Sequence, residues 1–585
     1  MKYSIIILIT QLLLWGCCRS ERSILESFYK ALDGDKWEHK ENWLSDKPLN
    51  EWYGITTDEE GKVVKIQLSD TMMGKVPVNL KYLKKLQYLH LNCITGGISL
   101  EVNKYPSLKE LKLNGYIDWL KVCNSNVEYI ELKTSFTNSL IIKHCNNLKK
   151  VFTKLHYAPD ILDIDCCPNL SSVELEGNRY NPPIDLKLNL PSLTRLTICY
   201  FTLNHFDIDR CTNLEYLNVS RNSMTQLDVS KYRKLEYLYC NQNQLSILDV
   251  SSCKKLKDLD CSDNQITKLI LNNSNLVHLR CFNNNIQFLN VNICKKLEEL
   301  HCYKNNLSKL DISDCENLKS LDCSNNKISN LDIRKCKELT YLECFINQLS
   351  KLNLSNNSKL NHLHCSGNNL TTLDISKCKE LKYINCCYNN ILNLNLNKCN
   401  GLLVLECSNN KLSKLNLDNP QLNYLDCSYN NLSNLTLNNL KLDYLDCSFN
   451  NLLSLDLSKC GNLLKTLYCF NNKLLQLNTN YFPKLETLSC GENKLTVINI
   501  SKNCELNFFY CDNNPIKHLN LTRNKKIRDL NIKGTQLTSI DISHLDKLEH
   551  FDAYPSSLKT IWVSKDFKPI TLWFIEDDVE CKIKQ

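Results

Sequence analysis

The chain carries no long run of like charge, so it has no electrostatic footprint for nucleic acid. Its 71 basic and 63 acidic residues leave a net charge of +8, with lysines concentrated in turns where they solubilise the surface. No nucleophile elbow, phosphate loop or zinc-binding helix motif occurs, and no segment outside the repeats is large enough for a catalytic domain. The chain is therefore expected to be non-enzymatic and to need no cofactor. The apolar run 5–15 near the start is too short to span a bilayer as a stable anchor, and no other stretch is apolar and long enough to cross one. The 14 glycines form no periodic pattern, which sets aside the glycine-rich repeats of calcium-binding β-rolls.

Cysteine, by contrast, is abundant and ordered. It returns every 20 to 22 residues from Cys240 through Cys261, Cys281, Cys302, Cys323 and onward to Cys511. An asparagine follows three residues after every member of this ladder, from Asn243 through Asn326 to Asn514. A period near 21 means that one short supersecondary unit is stacked many times, as a solenoid. In the unit around Leu318–Ile333, Leu321 and Cys323 alternate with the period of two that places them on the buried face of a strand. Asn326 then turns the chain inward and can bond to backbone groups that the turn leaves unpaired.

The pattern L-x-x-L-x-C-x-x-N-x-L resembles the leucine-rich repeat. Leu321-Asp322-Cys323-Ser324-Asn325-Asn326 and Leu425-Asp426-Cys427-Ser428-Tyr429-Asn430 look most like the cysteine-variant repeats of Bacteroidetes-type surface lipoproteins. The resemblance implies an α/β-type solenoid dominated by short parallel strands, with about two dozen coils. Upstream coils centre on Leu68, Leu91, Leu113, Leu132, Leu175, Ile198 and Val219, with a poor match near Thr153. Downstream coils centre on Ile532 and Ala553. The N-terminal coils mostly lack the asparagine; Ile94, Tyr116 and Ser135 stand at its position.

A second, patchier series (Cys211, Cys253, Cys294, Cys315, Cys336, Cys378, Cys399, Cys460, Cys504) falls mostly eight residues before a ladder cysteine. Both series read as core layers of free thiols. Ladder neighbours would have parallel Cβ vectors, too far apart for a good bridge, although corners such as Cys378 and Cys399 leave pairing open.

Lys2 and the apolar run read as a signal peptide. Leu14-Trp15-Gly16-Cys17 resembles a bacterial lipobox, which implies lipidation at Cys17, with Cys18 or plain secretion as alternatives. The expected organisation is 1–17 signal peptide, 18–62 N-terminal cap, 63–555 solenoid (most regular over 211–535) and 556–585 C-terminal cap. In the cap, Ile24, Leu25, Phe28 and Leu32 fit one helical face. Asn42-Trp43-Leu44-Ser45 through Trp52-Tyr53-Gly54-Ile55 closely resembles the caps of plant-type and bacterial leucine-rich repeat proteins. Trp37, Trp43 and Trp52 read as its core rather than as a sugar platform.

In each Leu-x-Cys-x strand the two x positions are expected to face away from the core. Their residues assemble one candidate patch of Arg280, Phe282, His301, Tyr303, Tyr341, Glu343, Phe345, His362 and His364, and a second of Tyr468 with Phe470. Exposed aromatics with arginine are residue types that anchor protein interfaces; alternatively, the rings cover neighbouring strands. Alternation points Cys302 and Cys365 away from their histidines, which argues against a metal site. The acidic stripe Glu406, Asp426, Asp446 and the recurrent Asp249, Asp311, Asp332, Asp374 and Asp456 read as solvated polar positions. The resemblance implies a monomeric, lipid-anchored binding protein of the bacterial outer membrane, at the cell surface or on the periplasmic side, recognising a protein or glycan and touching membrane only through its lipid. A structural envelope protein without a specific ligand is the competing expectation, as is secretion.

Overall fold

A computed structural model of the chain describes residues 20–157, 159–178, 184–568 and 572–584. Two compact units are present, Met1–Leu276 with Arg280–Asn285 and Val277–Leu279 with Ile286–Gln585. Each is a parallel β-solenoid, and each is described by itself. Cys17 and Cys18 lie outside the described residues.

The first unit opens with the helix Glu21–Ala31, capped by the Ser20 side chain, which accepts from the Ser23 amide at 3.2 Å. Ile24, Leu25, Phe28 and Leu32 are fully buried, and Trp37, Trp43 and Trp52 pack with them. The Trp37 and Trp43 rings meet edge to face at 5.3 Å, so these tryptophans offer no open platform. The hairpin Ile55–Thr57 with Val63–Leu68 is antiparallel; from Val63–Leu68 onward every paired strand of this unit is parallel.

Leu68 pairs with Leu91, Leu91 with Leu113, and Leu113 with Leu132. Thr153, the weak match, holds the same place, between Leu132 and Leu175. Its hydroxyl and that of Thr134 are buried without a partner. Three of these coils differ in construction from the rest. Their strands, Tyr88–Glu101, Glu110–Cys123 and Tyr129–Lys143, are 14, 14 and 15 residues long and run on past the corner. Without the asparagine, the corner is held by backbone pairing that continues through irregular register, and Gly97 and Gly115 take it at φ +80° and +131°.

The second unit is built from three-residue strands such as Ser320–Asp322, Tyr341–Glu343 and His362–His364, each exposing two residues partly and burying the middle one. Ladder cysteines end the buried run, with Cys302, Cys344 and Cys365 at 0 % exposure. The next asparagine staples two coils. Asn326 Nδ2 donates to Cys323 O of its own coil and Cys302 O of the preceding one, both at 3.1 Å, while its Oδ1 accepts from Leu307 N at 2.9 Å. The same triplet recurs at Asn347, Asn368, Asn389 and Asn410.

The bend itself belongs to the residue before the asparagine, which sits in the left-handed region in coil after coil. Asn325, Ile346, Tyr388, Tyr429 and Phe449 all have φ between +50° and +52°. Bulky residues resist this conformation, so the asparagine bonds on either side must impose it.

All thirty cysteines whose side chains are described are thiols outside any disulfide, and burial pushes the ladder thiols upward, Cys281 and Cys365 to about 12. The second series is a mixed ladder of cysteine and asparagine. Cys315 and Cys378 point their thiols at Val291 O and Leu354 O at 3.7 and 3.8 Å. Asn357 stands at the equivalent place and donates to Ile333 O and Cys336 O at 3.1 and 2.8 Å. Asn273, Asn419, Asn439, Asn503 and Asn524 fill further gaps, and Phe482 fills the one between Cys460 and Asn503. The expectation for Cys504 is corrected accordingly: it is exposed, because Asn503 takes the core position.

Candidate functional site

Three residues of each coil contribute to the partly exposed sheet face: those three before, one before and one after the ladder cysteine. Serine at the last position is buried, contrary to the expected outward orientation; Ser262 and Ser324 are each 1 % exposed. The cause is local. Asp322 Oδ1 accepts from Ser324 N at 3.0 Å and from Ser324 Oγ at 2.6 Å, folding the serine back under the strand end. Asp260 with Ser262 and Asp426 with Ser428 repeat this turn. These aspartates are therefore structural rather than simply solvated, and burial raises the pKa of Asp260, Asp322 and Asp446. Asp249, Asp311, Asp374 and Asp456 form similar turns at exposed positions.

In the first unit Arg280 pairs with Asp258 at 3.2 Å, and Phe282 is half-buried. In the second unit His301 lies 3.5 Å from Glu299 and 3.4 Å from Ser320 Oγ, with Tyr303 half-buried beside it in the chain.

The remaining residues of the first candidate patch come together tightly. Tyr341, His362 and Tyr383 form a continuous stack, with ring centres 4.3 and 4.5 Å apart and planes 12° and 7° from parallel. Phe345 stacks on His364 at 4.3 Å. Glu343 accepts from the Tyr341 hydroxyl and lies 3.3 Å from His362 Nε2. The His362 contact holds the Glu343 carboxyl below its ordinary range despite partial burial. Burial lowers the His364 pKa, favouring the neutral ring, which lies 2.7 Å from Ser366 Oγ. At the far end, Glu406 accepts from Tyr383 Oη and Asn385 Nδ2, both at 3.0 Å. Burial pushes the Tyr383 phenol up to about 12. The outcome is a rigid, half-buried wall of rings with a carboxylate at Glu343 and another at Glu406.

Tyr468 and Phe470 each end a second row. Tyr424 stacks on Tyr444 at 4.2 Å and 4°, and Tyr444 meets Tyr468 edge-on at 5.9 Å. Tyr429 stacks on Phe449 at 4.1 Å, and Phe449 tilts against Phe470 at 5.3 Å. Tyr383, Tyr424, Tyr444, Tyr429 and Phe449 were not among the expected site residues. The first three would have emerged from reading the column three residues before each ladder cysteine. Tyr429 and Phe449 occupy the left-handed corner position, which in this chain is filled by residues as different as Lys304, Asn325 and Ile346 and so gives no sequence signal. Among the described residues, no group of three or more His, Cys, Asp or Glu side chains could hold a metal ion.

Coils of this length, with a Leu-x-Cys strand on one face and a stapling asparagine at the corner, define a leucine-rich repeat solenoid. No family profile matches the chain, and no curated protein is similar to it in sequence. Among solved structures it is similar to the plant peptide hormone receptor RGFR1 in complex with RGF2, at TM-score 0.56 and 18 % identity over 87 % of this chain and 96 % of that one. It is also similar to YopM from Yersinia enterocolitica WA-314, at TM-score 0.51 and 24 % identity over 77 % and 86 %. The functional domain of InlJ from Listeria monocytogenes, described as including a cysteine ladder, is 27 % identical over 64 % and 70 % at TM-score 0.40.

Proposed function

We propose that the protein is a non-enzymatic binding protein that recognises a protein ligand through the ring wall Tyr341–Tyr383. The single observation carrying this reading is the Tyr341–His362–Tyr383 stack, fixed by Glu343 and Glu406 on a partly exposed sheet face. Rigid aromatics lose little conformational freedom on binding, and tyrosine anchors both apolar and hydrogen-bonded contacts. RGFR1 is a peptide hormone receptor seen in complex with RGF2, and its fold is of the same kind.

The remainder of the reading is membrane attachment through lipid on Cys17, carried by Leu14-Trp15-Gly16-Cys17, at the outer membrane of a bacterium of the Bacteroidetes type. Adhesion or host contact would be the consequence if the face is displayed outside. One observation favours a purely structural envelope role instead: the rings are half-buried by one another rather than standing free.

The test is a binding screen of the intact protein against extracellular proteins and glycans, in parallel with Tyr341→Ala/Tyr383→Ala. A partner retained by the natural protein and lost by a folded variant supports the reading. Equal retention by both, or retention only of glycans, contradicts it. Membrane fractionation of Cys17→Ala tests the anchor separately: release into the soluble fraction is expected, and unchanged sedimentation contradicts lipidation.

A further inference from the structure

In the second unit each corner is closed by a backbone rung just after the asparagine. Lys327 N donates to Leu307 O at 2.8 Å, Gln348 N to Ile328 O at 2.9 Å and Lys494 N to Leu474 O at 3.0 Å. In the next coil this position is Pro515, which has no N–H to give. Among the described residues no backbone amide donates to Leu495 O, and the rungs resume with Gln536 N to Ile516 O at 2.9 Å.

Beyond the missing rung the apolar side chain of this coil is less well covered than its neighbours. Ile498 and Ile540, in the flanking coils, are 5 % and 3 % exposed, whereas Leu519 at the equivalent place is half-buried. A cavity of about 860 Å³ opens there, with these three side chains as its apolar floor. It lies beside the small parallel sheet Ser539–Asp541, Thr560–Val563 and Glu580–Ile583, away from the ring wall.

We propose that this cavity binds an acidic sugar, a pyranose ring bearing one carboxylate. Trp562 lines it and is 37 % exposed, offering the flat apolar surface that the C–H face of a sugar ring needs. Asn499 and Asn520 each commit Oδ1 to a local turn, at 3.0 Å from Ser501 N and Thr522 N, which leaves their amide N–H groups as donors to hydroxyl oxygens. Thr538 and Ser539 also line the cavity and add hydroxyls. Lys584 is occupied by Asp541, whereas Lys517 makes no ion pair among the described residues and is the cation for the carboxylate. The volume falls in the range of small-molecule sites, about 300–1,000 Å³.

The probes are galacturonic acid and galactose, followed by saturation-transfer NMR and tryptophan fluorescence on the full chain. Saturable binding of galacturonic acid is expected, with galactose about tenfold weaker, a difference of about 1.4 kcal/mol. Lys517→Ala should bring galacturonic acid down to the level of galactose. Pro515→Ala restores the donor for Leu495 O, so it should abolish binding of both sugars while the melting temperature holds or rises. Absence of saturable galacturonic acid binding overturns the proposal, as do equal affinities for the two sugars or unchanged binding in Pro515→Ala.

Discussion

The coils of residues 88–143 and those of the asparagine ladder solve one problem in two ways. Every coil must turn a corner without stranding backbone amides inside the stack. In the ladder a side-chain amide does this, and the strand stops after three residues. In the early coils the backbone ladder itself continues round the corner, and in two of them a glycine at positive φ, Gly97 or Gly115, eases the bend. The difference teaches that the asparagine is a substitute for continued strand pairing rather than a requirement of the coil.

The largest effect expected from breaking that comparison is Asn326→Ala. It strips the partner from Leu307 N and two donors from Cys302 O and Cys323 O, and should cost about 3 kcal/mol as a local opening read by denaturant-dependent hydrogen exchange. The counterpart in the early coils is Gly115→Ala. Its Cβ would lie 2.3 Å from Ile94 O at φ +131°, so a loss of about 2 kcal/mol is expected in the melting of the first unit. Smaller again is Phe345→Ser. Read as a free surface ring it would cost nothing, but its stack on His364 predicts a loss of about 1 kcal/mol.

The smallest effect is Asp322→Asn, because the amide oxygen can accept from Ser324 as Asn385 does from Cys387 N at 3.1 Å. The raised Asp322 pKa means that the folded state binds its proton more tightly than the unfolded chain, so its ionisation opposes folding above that pKa. Asp322→Asn should therefore match or exceed the natural protein at neutral pH. That advantage should vanish as pH falls below the ordinary carboxylate value of about 4. A pH-independent difference in urea denaturation contradicts this.

Much of the architecture was legible because a 21-residue period repeated in register leaves little freedom: Cys323 and Asn326 specify a buried strand end and a corner in any coil that carries them. The mixed ladder was not legible, since Cys336 and Asn357 look unrelated until both are seen aimed at the same carbonyl row. Strict alternation misplaced Ser324, because a two-residue hydrogen-bonded turn overrides the strand period at its end. The candidate site was half legible. Tyr341, Glu343, Phe345, His362 and His364 were assembled from their columns, but Tyr383 was missed, and with it the link to Glu406. The notch at Pro515 depends on one absent amide, which the spacing of Ile516, Leu519 and Leu521 conceals completely.

The most direct test of the account is amide hydrogen exchange at Leu307 in the natural protein and in Asn326→Ala. Slow exchange in the natural protein and a rise of about a hundredfold in the variant, with the corner amides of 88–143 unchanged, is the predicted result. Equal protection of Leu307 in both proteins would contradict the claim that side-chain amides hold these coils together.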